Sequence, residues 1–178
     1  MLRRLFHVSG IIIPLTYLLW GKGAALALGT LILLFLAAGE ILRLKGILDP
    51  LFVRGQLKES ERRRPTGALP YAGSCVLTVL IFPKPVAVAS MFVLAISDPL
   101  SSLVGSTWGR SRFLGKSLEG TSVFLFSSLI ILAYLRFRIP AVVGGACAGT
   151  LAELLSSRFI NDNFSIPLVC AAALWVLT

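Results

Sequence analysis

The sequence predicts an all-α, polytopic integral membrane protein of about seven transmembrane helices, with the N-terminus inside and the C-terminus outside. Three observations predict it. Of the 178 residues 56% are hydrophobic and only 14% charged, and the mean hydropathy is +0.88. A soluble domain of this size has too much surface to hide that many apolar side chains. Charged residues divide the chain into seven continuously apolar segments, and Lys and Arg fall unevenly on the two sides those segments define.

The segments are roughly 5–21, 24–42, 67–83, 85–104, 120–135, 139–155 and 164–178. Several fall short of the ~20 residues a bilayer needs, so flanking Arg and Lys are expected to snorkel to the interface. The runs lack the dyad alternation of barrel strands, which leaves helices. Met1-Leu-Arg-Arg before an apolar run has the look of a signal peptide. No cleavage site follows at Trp20-Gly-Lys22-Gly, so the run reads as the first membrane helix. The fourth segment is expected to break at Pro99. Gly145-x-x-x-Gly149 reads as close helix packing in the sixth. Cys75, Cys147 and Cys170 lie in apolar runs at unpatterned spacing, which indicates packing rather than a disulfide framework or a zinc site. The whole chain, 1–178, reads as a single transmembrane domain.

With the N-terminus inside, the inner regions carry Arg3, Arg4, Arg43, Lys45, Arg54, Lys58, Arg62, Arg63, Arg64, Arg110, Arg112, Lys116 and Arg158. The outer regions carry only Lys22, Lys84, Arg136 and Arg138. That asymmetry fixes the expected orientation. The net charge of +9, which in a soluble chain would suggest nucleic acid, here reports orientation and contact with anionic headgroups or phosphates. The acids are more informative. Glu40, Asp49, Glu59, Glu61, Asp98, Glu119, Glu153 and Asp162 all fall on the inner side. A structural bundle has no reason to gather its acids on its basic side, whereas a polyphosphate–metal site needs both signs together. A non-enzymatic anion transporter would need polar residues continuing to the outer face, and the outer halves are nearly free of them.

The densest chemistry lies in Ala95–Thr121. Asp98 sits in an apolar run where an unpaired carboxylate would be expensive, which suits Mg²⁺ coordination better than capping of a helix break. Gly105, Gly109, Arg110, Lys116, Ser117 and Gly120 form a glycine-rich basic loop for phosphate. It is not a P-loop: five residues, not four, separate Gly109 from Gly115-Lys116-Ser117, and a membrane helix rather than a strand precedes it. Glu119 is either a helix-dipole acid or a second carboxylate opposite Asp98. Glu153, Asp162 and Asn163 offer oxygen ligands, with Asp162 or Asn163 alternatively capping the last helix. Glu40 and Arg43, three apart, read as an ion pair. His7 admits acid–base chemistry or a headgroup contact, and Arg64 in its arginine cluster a lipid or nucleotide phosphate.

These residues resemble the CTP-dependent lipid-alcohol kinases: dolichol and polyprenol kinases, phytol kinase and the CTP-using diacylglycerol kinase of fungi. The matching pieces are Arg3-Arg4-x-x-His7, Glu40-x-x-Arg43 and Arg64-Pro-Thr-Gly67. They continue with Ser97-Asp98-Pro99, Gly105-x-x-x-Gly109-Arg110, Lys116-Ser-x-Glu119-Gly120-Thr121, Glu153 and Asp162-Asn163-x-x-Ile-Pro167. The resemblance implies transfer of the γ-phosphoryl group of CTP to a membrane lipid alcohol with Mg²⁺, at a cytoplasm-facing site in the cell inner membrane or its equivalent. Asp98 and Glu119 would hold the metal, and Arg110 and Lys116 the phosphates. Asp162 and Asn163 would complete the site, and Asp98 or Asp162 would take the hydroxyl proton. The alternative is the related phosphatidate cytidylyltransferases, whose signature histidine stretch is missing here. The partners are then CTP and a lipid, with no nucleic acid, and a homodimer is compatible with so small a bundle.

Overall fold

The computed structural model describes residues 7–47, 66–159 and 161–178, without the side chains of 156–159. Arg3, Arg4, Arg64 and the rest of the cluster at 62–64 lie outside the described residues, as do Asp49, Arg54, Lys58, Glu59 and Glu61. Among the described residues the architecture is all-α apart from one two-stranded hairpin: α1 (Ile12–Leu44), α2 (Ala68–Ile81), α3 (Lys84–Thr107), β1 (Arg112–Phe113), β2 (Lys116–Ser117), α4 (Leu118–Tyr134), α5 (Ile139–Phe159) and α6 (Asp162–Leu177).

α1 is not a straight rod. Gly21 has φ 85° and ψ −175°, a backbone state that only glycine enters without strain, and nothing crowds the position. A straight helix would set Gly10 and Glu40 about 45 Å apart. Instead the His7 carbonyl accepts from the Tyr71 hydroxyl at 3.4 Å, and a Glu40 carboxylate oxygen accepts from the Thr66 N–H at 2.7 Å, both near the start of α2. The chain therefore folds back at Gly21 into two antiparallel arms. At their far ends the ammonium groups of Lys22 and Lys84 donate to the carbonyls of Leu80 and Leu18. The seven apolar segments of the sequence fall on these two arms and on α2 to α6. Among the described residues two stretches are apolar and long enough to cross a membrane, His7–Leu44 and Lys84–Thr107. The first of them reverses at Gly21 and does not run straight through.

α3 is the central helix. It packs against α4, α6, α1 and α2 and buries Ala87, Ala89, Met91, Val93, Leu94 and Ala95 completely. Small residues at this density let four neighbours approach closely. The expected break at Pro99 does not occur: α3 continues through Pro99 to Thr107. Helices tolerate an internal proline when packing, rather than the single hydrogen bond it removes, holds them together. α5 and α6 pair closely, and a Cβ on Gly145 would stand 2.7 Å from Leu174 and 3.2 Å from Leu132, so the GxxxG stretch does serve packing. The outer surface is strongly apolar: Phe35 is 77% exposed and Ile130 69%. Acyl chains, not water, suit such a surface.

The contacts define two ends. One holds His7, Glu40, Asp98, Glu119, Glu153 and Asp162. The other holds Lys22, Lys84, Arg136 and Arg138, with no acid among the described residues. Trp20, Tyr134 and Trp175 are exposed at this second end.

Candidate active site

Asp98, Ser101, Ser102 and Gly105 stand at positions i, i+3, i+4 and i+7 of α3 and form one polar stripe. The stripe is one wall of a cavity of about 580 Å³, also lined by His7, Arg112, Gly115, Lys116, Ser117, Glu153 and Asp162. That size suits a small ligand. Five elements meet there: the start of the first arm, α3, the hairpin, α5 and α6.

The hairpin is built by its turn. Arg112 pairs with Ser117 and Phe113 with Lys116, and the two linking residues, Leu114 and Gly115, have φ of 51° and 85°. Positive φ at both central positions is the I′ geometry that matches strand twist. From sequence this stretch reads only as a loop, because Leu-Gly is not the Asn-Gly that announces such a turn. Ser117 then caps α4, accepting from the Gly120 N–H at 3.1 Å. Gly105, Gly109 and Gly120 crowd round this serine. A Cβ on Gly109 would stand 2.6 Å from Ser117 Cβ, and one on Gly120 2.8 Å from the Ser101 carbonyl. Of these glycines only Gly105 lines the cavity; Gly109 and Gly120 let the ends of α3 and α4 close on Ser117.

Lys116 is the electrostatic centre. Its ammonium lies 2.9 Å from Glu153 Oε1 and 3.2 Å from Asp162 Oδ2. Burial by itself lowers its pKa, but the charges of Asp162 and Glu153 outweigh that and hold it above the ordinary lysine value. Glu153 is only 2% exposed and also accepts from Thr121 Oγ1 at 3.3 Å and, weakly, from Ser101 Oγ at 3.5 Å. His7 Nδ1 lies 3.2 Å from Asp98 Oδ2, within ion-pair reach but not aligned as a hydrogen bond, and its ring meets Tyr71 edge-on at 5.4 Å.

Of the residues singled out from sequence, the cavity brings together His7, Asp98, Gly105, Lys116, Ser117, Glu153 and Asp162. Others stand away from it. Glu119 does not line the cavity with Asp98: its Oε1 accepts from the N–H groups of Arg110 and Ser111 at 3.0 and 3.2 Å and fastens the loop backbone. Arg110 is exposed and off the cavity wall. Asn163 is buried between α6 and the start of α2, donating to the Gly67 carbonyl at 2.9 Å. The cap of α6 is Asn161 rather than Asp162 or Asn163, since its side chain accepts from the Asn163 N–H. Glu40 and Arg43 form the expected ion pair at 2.6 Å; neither lines the cavity, and Glu40 is tied to Thr66. Sequence reasoning missed Ser101, Ser102, Thr121 and Arg112 as site residues. The helical spacing of the two serines from Asp98 was the available signal. Arg112 had none, because only the I′ turn brings that strand to the cavity.

The donor set fits Mg²⁺. Hard carboxylate oxygens of Asp98, Glu153 and Asp162 line one cavity, and Mg²⁺ needs only one or two of them plus phosphate and water. Among the described residues no three acidic, His or Cys side chains form a ready-made metal cage.

Several known proteins are similar to this chain. An uncharacterised protein of Rickettsia prowazekii is 31% identical over 93% of this chain and 88% of its own length. The phytol kinase of Synechocystis is 37% identical over 66% of this chain and 57% of its own. The CTP-dependent diacylglycerol kinase 1 of Schizosaccharomyces pombe is 26% identical over 68% of this chain and 64% of its own. The chain thus spans less than two thirds of either kinase. No family model matches the chain, and no solved structure matches it.

Proposed function

We propose that this chain, which belongs to the CTP-dependent lipid-kinase family, transfers the γ-phosphoryl group of CTP to the hydroxyl of a membrane lipid alcohol. The observation that carries the reading is the meeting of three carboxylates with Lys116, His7 and Arg112 in one cavity, at the end of an otherwise apolar bundle. Depth supports it too. Asp98 lies about 20 Å along α3 from Lys84, so in a hydrocarbon layer of ~30 Å it sits some 10 Å below the opposite surface. A lipid hydroxyl reaches that depth by moving sideways from its leaflet. The nucleotide comes from the cytoplasm, and the two arms of α1 with α2 to α6 make seven crossings, N-terminus inside.

Positioning and charge neutralisation do most of the work in phosphoryl transfer. Arg112, with no carboxylate partner among the described residues, anchors the phosphates by its planar fork. Lys116, fixed by Glu153 and Asp162, adds a positive charge that side-chain motion does not dissipate. Asp98, with Asp162 or Glu153 nearby, would hold Mg²⁺, which when bound neutralises charge on the phosphate oxygens. A cavity carboxylate, Asp98 or Asp162, takes the hydroxyl proton. The alcohol oxygen bonds to the γ-phosphorus, the bond from that phosphorus to the β-phosphate oxygen breaks, and CDP leaves.

The test is purified protein in mixed micelles with Mg²⁺, CTP labelled on its γ-phosphate, and polyprenol, phytol or diacylglycerol in separate reactions. Label in one lipid is the expected result and names the substrate. Label from the α-phosphate of CTP retained in lipid with phosphatidic acid would mean a cytidylyltransferase instead. Asp98→Asn should abolish turnover in a folded protein; full activity would remove Asp98 from the metal role.

A further inference from the structure

We propose that the β1–β2 hairpin and the end of α3 form a lipid-headgroup clamp, seated in the interface of an anionic bilayer. The placement follows from α3. Lys84 marks one end, and a hydrocarbon core of ~30 Å is crossed in about 20 residues, so the helix leaves the hydrocarbon near Val104. Trp108, the residue that ends α3, falls in the headgroup layer. It is 66% exposed, Phe113 on β1 is 54% exposed, and Leu118 at the start of α4 is 49% exposed. Three large apolar side chains standing out of a five-element polar cluster would be costly in water, and Trp with Phe is the composition of an interfacial belt.

Charge selects the occupant. Arg110 and Arg112, both exposed, lie between Trp108 and Phe113 in the same short segment. Arg112 lines the cavity, which leaves Arg110 for the headgroups; Glu119 beside it spends one oxygen on two backbone N–H groups while its charge still acts on Arg110. Apolar side chains entering the acyl boundary with Arg110 at phosphate level fit anionic phospholipid rather than a protein surface. The I′ turn makes the hairpin stiff, so seating it also fixes the height of Arg112, Gly115 and Lys116 at the cavity wall. The clamp holds the cavity mouth level with the headgroups from which a lipid hydroxyl would come. That last consequence rests on the proposed kinase reading; the seating itself does not.

The experiment uses the full chain in nanodiscs, with Trp20→Phe and Trp175→Phe so that Trp108 is the sole tryptophan. Phosphatidylcholine brominated high on its acyl chains should take away most of the Trp108 emission, and phosphatidylglycerol should deepen that loss. Arg110→Gln should abolish the increment from the anionic lipid and leave the quenching in pure phosphatidylcholine. Emission at the wavelength of water-exposed tryptophan, quenched by aqueous iodide but not by brominated lipid, would overturn the proposal. So would quenching that follows protein-to-lipid ratio rather than bromination, because a second copy would then cover the patch. A catalytically silent protein that shows the expected quenching would refute the kinase reading and leave the clamp standing.

Discussion

Replacing Lys116 by methionine should destabilise the protein more than it perturbs any single contact, because it strands a buried acid. The ammonium lies 2.9 Å from Glu153, where the gross attraction at an effective dielectric of ~20 is of order 5 kcal/mol. Most of that offsets desolvation. What the substitution exposes is the reverse term: removing one partner of a buried pair typically costs about 3–5 kcal/mol. Here Glu153 keeps its contacts to Thr121 and Ser101, and Asp162 is 29% exposed and recovers water. The expected loss is therefore about 2–3 kcal/mol, or roughly 5–10 °C in Tm for a chain of this length. Thermal unfolding in detergent reads it. Adding Glu153→Gln removes the orphan charge and should return most of the stability without returning activity. The reasoning fails if Lys116→Met melts with the parent, or if Glu153→Gln simply adds a further loss. The pH dependence has a definite sign. Lys116 has a pKa raised above its ordinary 10.5, so its contribution is fully present below that value and disappears only as pH rises through the higher folded value. Unfolding between neutrality and pH ~10 should show no loss from this bridge.

Gly120→Ala would push a Cβ to 2.8 Å from the Ser101 carbonyl and from Ser117 Oγ, so the ends of α3 and α4 must part. A loss of about 1–3 kcal/mol is expected by thermal unfolding, while Gly73→Ala, whose Cβ meets only Leu33 at 3.9 Å, should be neutral or slightly stabilising. Arg112→Gln should raise the KM for nucleotide by about tenfold or more, and Arg110→Gln by much less, since only Arg112 lines the cavity. Steady-state kinetics with CTP varied separate them. Glu40→Gln loses the ion pair to Arg43 and weakens the hold on the Thr66 N–H, for a cost of about 1–3 kcal/mol in detergent unfolding.

Continuous apolar runs cut by charge made the helices legible, since helix and bilayer both demand internal satisfaction of the backbone. Gly21 as a reversal was legible only as a gap between two runs; its positive φ is a property of the folded backbone. Asp98, Lys116, Glu153 and Asp162 were legible because charge inside apolar sequence is expensive and needs a reason. Which of them meet was not. Glu119 is near Asp98 in sequence yet is held by loop backbone, whereas Glu153 and Asp162, far along the chain, share Lys116.

By itself, then, the sequence determined that this is an all-α protein with apolar helices, acids gathered at one end and a basic, glycine-rich loop beside them. Those are properties of composition and order, and short-range physics reads them. Only the tertiary structure decided the pairing of charges, the hairpin that turns Arg112 and Lys116 to one cavity, and the work of Gly109 and Gly120 as contact points around Ser117. Pairing depends on which helix faces meet, and helices of nearly uniform hydrophobicity carry little moment to announce a face; packing of small residues around α3 chooses it instead.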